Sequence, residues 1–211
     1  MGGIFNPENH FWQWLSKFCD FFGLSMCWLV CSLPVVTCGA ATCALYDAVY
    51  HGIRRGEPGV YVRFFKTFGR EFKTATLTTL PFLLLAVIFL MVSEVTQVMA
   101  LGGSGVAGVL VYAYQVVFCL FVAVWLFAMA TLSRFTFKVG ELLRTTLQLM
   151  VTNPLSALAV LVISALGASL MGWWYFCCVF VPALMAWLCA IPVEKAFAPF
   201  LPEEEETYEE E

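Results

Sequence analysis

Uninterrupted apolar runs constrain this chain more than any other feature. Residues 77–92, 106–132, 155–171 and 173–193 are almost free of charge. About 20 apolar residues of helix cross a hydrocarbon core about 30 Å thick. Inside that core a helix satisfies its own backbone groups, and an irregular segment does not. Hydrophobic residues make up 61% of the 211 and charged residues only 12%. Soluble domains carry about 45–50% and about 25%. A disordered chain, a nucleic-acid binder and an ordinary soluble enzyme domain are thereby excluded. The expected fold is all-α: a polytopic transmembrane helical bundle with short amphipathic interfacial helices. One multi-pass domain covers residues 1–200, and a disordered acidic tail covers 201–211.

The tail explains the net charge of -4. Seven of the 15 acidic residues lie in its last nine positions. Such a run buries no apolar surface and repels itself, so a solvated tail is expected. The rest of the chain is mildly basic. Residues 6–18 alternate aromatic and polar groups at helical spacing, which suits the membrane interface. They do not read as a cleavable signal peptide. An apolar run follows to residue 33, and then Pro34 and Gly39 are read as a helix break. Residues 40–53 form a further short helix.

After the turn at 56–59, residues 61–76 are basic and aromatic. Phe64, Phe65, Phe68 and Phe72 recur at steps of three and four, with Arg63, Lys66, Arg70 and Lys73 largely on the other side. That pattern predicts an in-plane amphipathic helix, with its phenylalanines toward bilayer or core. Residues 93–105 read as a loop, and 134–152 as a second basic amphipathic stretch. The two basic stretches echo each other, each ending in a proline before an apolar run, which suggests a weak internal repeat.

Basic connectors face the cytoplasm. Six of the 11 basic residues lie between 52 and 74, and three more between 134 and 152. The loops near 93–105 and 172 carry none and are expected outside. The C-terminus is then cytoplasmic. If the chain turns back at Pro34, six helices enter the membrane and the N-terminus is cytoplasmic too. If it only kinks there, five helices cross and the N-terminus lies outside. Lys17 favours six.

Few residues invite chemistry. No phosphate-binding glycine loop, nucleophile elbow or zinc-binding helix motif occurs. The nine cysteines lack metal-ligand spacing and are read as small apolar packing groups in a protein facing a reducing compartment. No cofactor, no metal and no enzyme activity are expected. An ionisable side chain within a span is costly and marks a candidate site. Asp47 and His51 stand one turn apart on one helical face, beside Tyr46. They form the candidate polar intramembrane site, placed near the Pro34 break. Tyr112, Tyr114 and Gln115 are candidates for lining a polar cavity. Gly102, Gly105 and Gly108 suit close helix approach.

Residues 33–46 (LPVVTCGAATCALY) and 64–73 (FFKTFGREFK) carry a resemblance. They resemble the YesL-like family of small bacterial multi-pass membrane proteins, a family of unknown function. The resemblance implies a bacterial plasma membrane and a loose association with carbohydrate ABC transporters. The expected activity is therefore that of a non-enzymatic accessory or scaffold protein linked to carbohydrate uptake. The alternative is a small secondary transporter or permease component using the polar site. Expected partners are the lipid bilayer and either ABC-transporter subunits or a cytoplasmic protein, and no nucleic acid.

Overall fold

The structure is a computed structural model that describes residues 10–102, 105–135, 137–173 and 179–197. The beginning of the first amphipathic stretch and the whole acidic tail lie outside the described residues. Helix α1, His10–Ser32, runs through the amphipathic segment and the apolar run without a break. A 3-10 turn, Val35–Thr37, separates it from α2, Cys38–Ala48. Pro34 sits in this break, as its missing N–H and fixed φ predict. Trp28 Nε1 donates to Thr42 Oγ1 at 3.1 Å, and Leu24 packs in one cluster with Ala44, Leu45 and Ala48. The chain therefore folds back at Pro34 into an α1–α2 hairpin.

Gly39 is not part of the break. It lies in the first turn of α2, where a Cβ would come within 1.8 Å of Thr79 Oγ1 and 3.0 Å of the Ala75 carbonyl. Its lack of a side chain lets α2 press against the next long helix. Past Ala48 the helix widens into a π-turn, Val49–Arg54. Gly56 and Gly59, at φ 73° and 84°, then reverse the chain in a conformation that glycine adopts readily.

Helix α3, Val60–Leu101, has 42 residues and is about 63 Å long at 1.5 Å per residue. The basic–aromatic stretch and the apolar run are thus one helix. A helix lying in the membrane plane would need a break before entering the bilayer, and none occurs. Pro81 forfeits one backbone bond without ending the helix. The first half is held by a buried face of Val60, Phe64, Thr67, Glu71, Ala75 and Thr78 at steps of three and four. The phenylalanines do not all share that face. Phe64 is fully buried, while Phe65 is 54% exposed and Phe72 38% exposed. The expected loop at 93–105 is largely helical, since α3 runs on to Leu101 and α4 spans Gly105–Arg134. Phe82 meets Phe121 and Phe89 meets Tyr114, so α3 and α4 are antiparallel. Gly108 faces open space, so no close helix approach uses it.

Helix α5, Val139–Thr152, meets α6, Pro154–Trp173, at a bend of 105°. Asn153, at φ -124° and ψ 68°, leaves the helical region, which a following proline disfavours. The two echoed stretches thus part company: one proline is absorbed within a helix and the other sits at a sharp corner. Helix α7, Val181–Phe197, crosses α1. The Ala183 N–H donates to Ser25 Oγ at 3.2 Å, and Phe180 lies 4.9 Å from Phe18. Its far end packs on Tyr46, Tyr50 and Phe127.

Among the described residues two helices are long and apolar enough to cross a membrane, α3 and the part of α4 from Gly108. The bent α5–α6 pair makes a third if counted as one span.

Candidate functional site

Asp47 and His51 do come together, but not at the Pro34 break. They sit where α2 passes into the π-turn, at the opposite end of α2. Such wide turns are frequent at functional sites because they re-aim side chains within a helix. Here the turn keeps both groups inside the bundle, with Asp47 5% and His51 8% exposed. No feature of the sequence announced it.

The Asp47 carboxylate has three partners from two elements. Its Oδ1 lies 3.0 Å from His51 Nδ1. Its Oδ2 accepts from Thr67 Oγ1 at 2.6 Å and from Arg63 Nε at 3.2 Å. Arg63 also pairs with Glu57 through Nη1. A buried carboxylate needs such partners, because leaving it unpaired costs several kcal/mol.

His51 extends the chain of contacts. Its Nε2 stands 3.2 Å from Arg134 Nη1. A guanidinium can only donate, so Nε2 accepts. The ring proton then belongs on Nδ1, which faces both the Asp47 carboxylate and the Asp47 carbonyl. This tautomer is assigned from the network of donors and acceptors. Arg134 closes α4. Its Nε donates to Glu194 Oε1 at 3.0 Å, and Nη2 lies 2.9 Å from Oε2. Its guanidinium carbon stacks 3.7 Å from the Tyr50 ring centroid. Tyr46 OH donates to the same Glu194 oxygen at 3.1 Å.

The result is one polar chain, Thr67–Asp47–His51–Arg134–Glu194–Tyr46, tying α3, α2, α4 and α7 together at one end of the bundle. Sequence reading found Tyr46, Asp47 and His51. It missed Thr67, Arg134 and Glu194 as partners. The signal for the last two was present: each is the first charge after a long apolar run, where one sign calls for the other.

An open cleft of about 620 Å³ lies over this chain, between the start of α3 and the end of α4. Asp47, His51, Arg63, Lys66, Arg70 and Arg134 line it, with Pro58 and Val62 as an apolar edge. The predicted basic face of α3 therefore divides. Arg63, Lys66 and Arg70 reach the cleft, and Lys73 does not line it. Phe64 and Phe68 pack inside, their rings 6.4 Å apart. Behind Tyr46 is a second cavity of about 190 Å³, lined by Trp28, Leu45, Trp125, Met185 and Val193 among other chiefly apolar groups. Tyr114 and Gln115 line a third hollow with Glu94 and Gln97 near the far end of α3, whereas Tyr112 is 76% exposed. Pro34 and Gly39 touch none of these sites. Among the described residues no group of three His, Cys, Asp or Glu is placed to hold a metal ion.

No curated protein sequence and no solved structure matches this chain. Residues 21–92, from the middle of α1 through the apolar half of α3, match the uncharacterised family described as protein of unknown function DUF624.

Proposed function

We propose that the chain is a non-enzymatic accessory protein of a bacterial plasma membrane that serves carbohydrate uptake by binding rather than by conducting a solute. The observation that carries this reading is the separation of polar and apolar space. The ionic groups are bound to one another at one end, and the cavity between the helices behind them is walled by apolar side chains. A sugar leaving water must exchange its hydrogen bonds for others along its route, and that cavity offers few. The carbohydrate connection itself rests on the resemblance to the YesL-like family. ABC-transporter subunits are the proposed partners, or else a cytoplasmic protein that docks on the basic end.

The proposed topology sets α3 and α4 across the bilayer, with the basic end and both termini cytoplasmic. The α1–α2 hairpin reaches the inner edge of the bilayer with its turn and does not cross. The count of six crossings is not carried into this proposal, which keeps to the two helices long and apolar enough to cross among the described residues.

Reconstituted vesicles supply the test. Uptake of a panel of labelled sugars should not exceed that of protein-free vesicles, while cross-linking in whole cells should recover sugar-transporter subunits. Sugar uptake abolished by Asp47→Asn would overturn the reading in favour of the permease, for which the cleft over Asp47 and His51 is the supporting feature.

A further inference from the structure

The cleft has a composition that the bound network does not use up. Four cations line it, Arg63, Lys66, Arg70 and Arg134, against one carboxylate, Asp47. Asp47 is already saturated by His51, Arg63 and Thr67. Arg134 is engaged through Nε by Glu194 and through Nη1 by His51. The other three cations keep donors in reserve. Arg63 engages Nε and Nη1, leaving Nη2. Arg70 engages only Nε, with Glu71 at 2.7 Å, and its side chain is 50% exposed. Lys66 is exposed and, among the described residues, forms no ion pair. Arg63, Lys66 and Arg70 follow one another at steps of three and four, so they share one face of α3.

We infer that this cleft is a binding site for an organic phosphate ester, with Lys66 and Arg70 as the principal phosphate ligands and Arg63 as a third. The geometry favours phosphate over carboxylate. Three cations around one opening match an anion with three acceptor oxygens and more than one charge, and a guanidinium with two free Nη groups meets such oxygens in pairs. The volume of about 620 Å³ exceeds what a bare phosphate fills, so the phosphate is carried on a larger body. Val62, 72% exposed, and Pro58 give that body an apolar edge. The source of the phosphate is either a soluble ester or a lipid headgroup. Lys66 precedes Leu77, where the apolar run of α3 begins, by 11 residues, or about 16 Å of helix. That depth favours the soluble ester. The inference does not depend on a link to sugar uptake.

The test uses the full chain purified in detergent. Inorganic phosphate, glycerol 3-phosphate, short-chain phosphatidylglycerol and short-chain diacylglycerol are titrated at constant ionic strength, with binding read by calorimetry and by the shift of the thermal midpoint. Glycerol 3-phosphate should bind, and Lys66→Gln should weaken it about tenfold, the loss expected for one charge-assisted contact. Lys73→Gln, one charge removed from the same helix outside the cleft, should leave binding unchanged. Arg70→Gln serves as a second variant, its thermal midpoint without ligand showing whether the fold survives the loss of the Glu71 contact. Binding of phosphatidylglycerol but not of glycerol 3-phosphate would assign the phosphate to a lipid. No binding of either, equal binding of diacylglycerol, or equal losses from Lys66→Gln and Lys73→Gln would overturn the inference.

Discussion

Arg134 and Glu194 show how a single buried charge shapes its surroundings. Their side chains are 7% and 12% exposed, so each depends on the other to offset the loss of water. Breaking a buried pair from one side typically costs about 3–5 kcal/mol, while replacing both members with apolar groups is often neutral. Glu194→Gln should therefore lower stability in detergent by about 3 kcal/mol, and Arg134→Met combined with Glu194→Leu should recover most of that loss. Chemical denaturation of the three proteins checks this. A double variant as unstable as Glu194→Gln would show that Tyr50 and His51, not Glu194, hold Arg134. Gly39 makes a contrasting case of steric rather than electrostatic need. Gly39→Ala should cost about 1–3 kcal/mol, the range for overpacking. The cost should shrink in a Thr79→Ala background, because Thr79 Oγ1 is the nearest atom at 1.8 Å. Purely additive losses would mean that the Ala75 carbonyl sets the limit.

The helices themselves were legible in the sequence to different depths, and α3 shows why. Its apolar half was plain from the length of residues 77–92, and its basic half from the spacing of Arg63, Lys66 and Arg70. That the two halves form one rod was not legible. Pro81 reads as a boundary, yet a proline removes only one helical bond and is tolerated where neighbouring helices support the turn. Asn153 with Pro154 reads much the same and makes a 105° corner, because Asn153 steps out of the helical conformation. Periodicity also hid which phenylalanines are buried. Phe64 and Phe65 are adjacent, and only the packing of α3 on α2 separates them. Phe64→Ala should cost about 3–5 kcal/mol, as for other fully buried aromatic side chains. Phe65→Ala should stay within about 0.5 kcal/mol, as exposed changes do. Equal losses would show that α3 is rotated from the face described. The candidate site was legible only in Tyr46, Asp47 and His51. Their partners on α3, α4 and α7 lie 16 to 148 positions away, beyond the reach of any local pattern.

The depth of the bundle in the bilayer follows from the length of α3. Gly39 packs against Thr79, and 22 residues of α3 remain between Thr79 and Leu101. They measure about 33 Å, close to the thickness of a hydrocarbon core of about 30 Å. Leu84, Leu90, Met91, Val98 and Leu101 are all more than half exposed along this stretch, as lipid-facing side chains are. If this stretch fills the core, the α1–α2 turn beside Thr79 lies at the edge where α3 enters. The α3–α4 turn then lies at the opposite edge. The sequence had pointed instead to an α1–α2 break at the outer side or within the membrane. Single cysteines in a variant lacking the native ones distinguish the two arrangements. Leu101→Cys should react with a membrane-impermeant thiol reagent applied to intact cells. Thr37→Cys should not react until the cytoplasmic face is opened. Reaction of both from outside would put the α1–α2 turn beside the α3–α4 turn and restore the arrangement in which that hairpin crosses. Reaction of Leu101→Cys from the cytoplasmic face alone would invert the molecule and place the cleft of Lys66 and Arg70 on the outer surface.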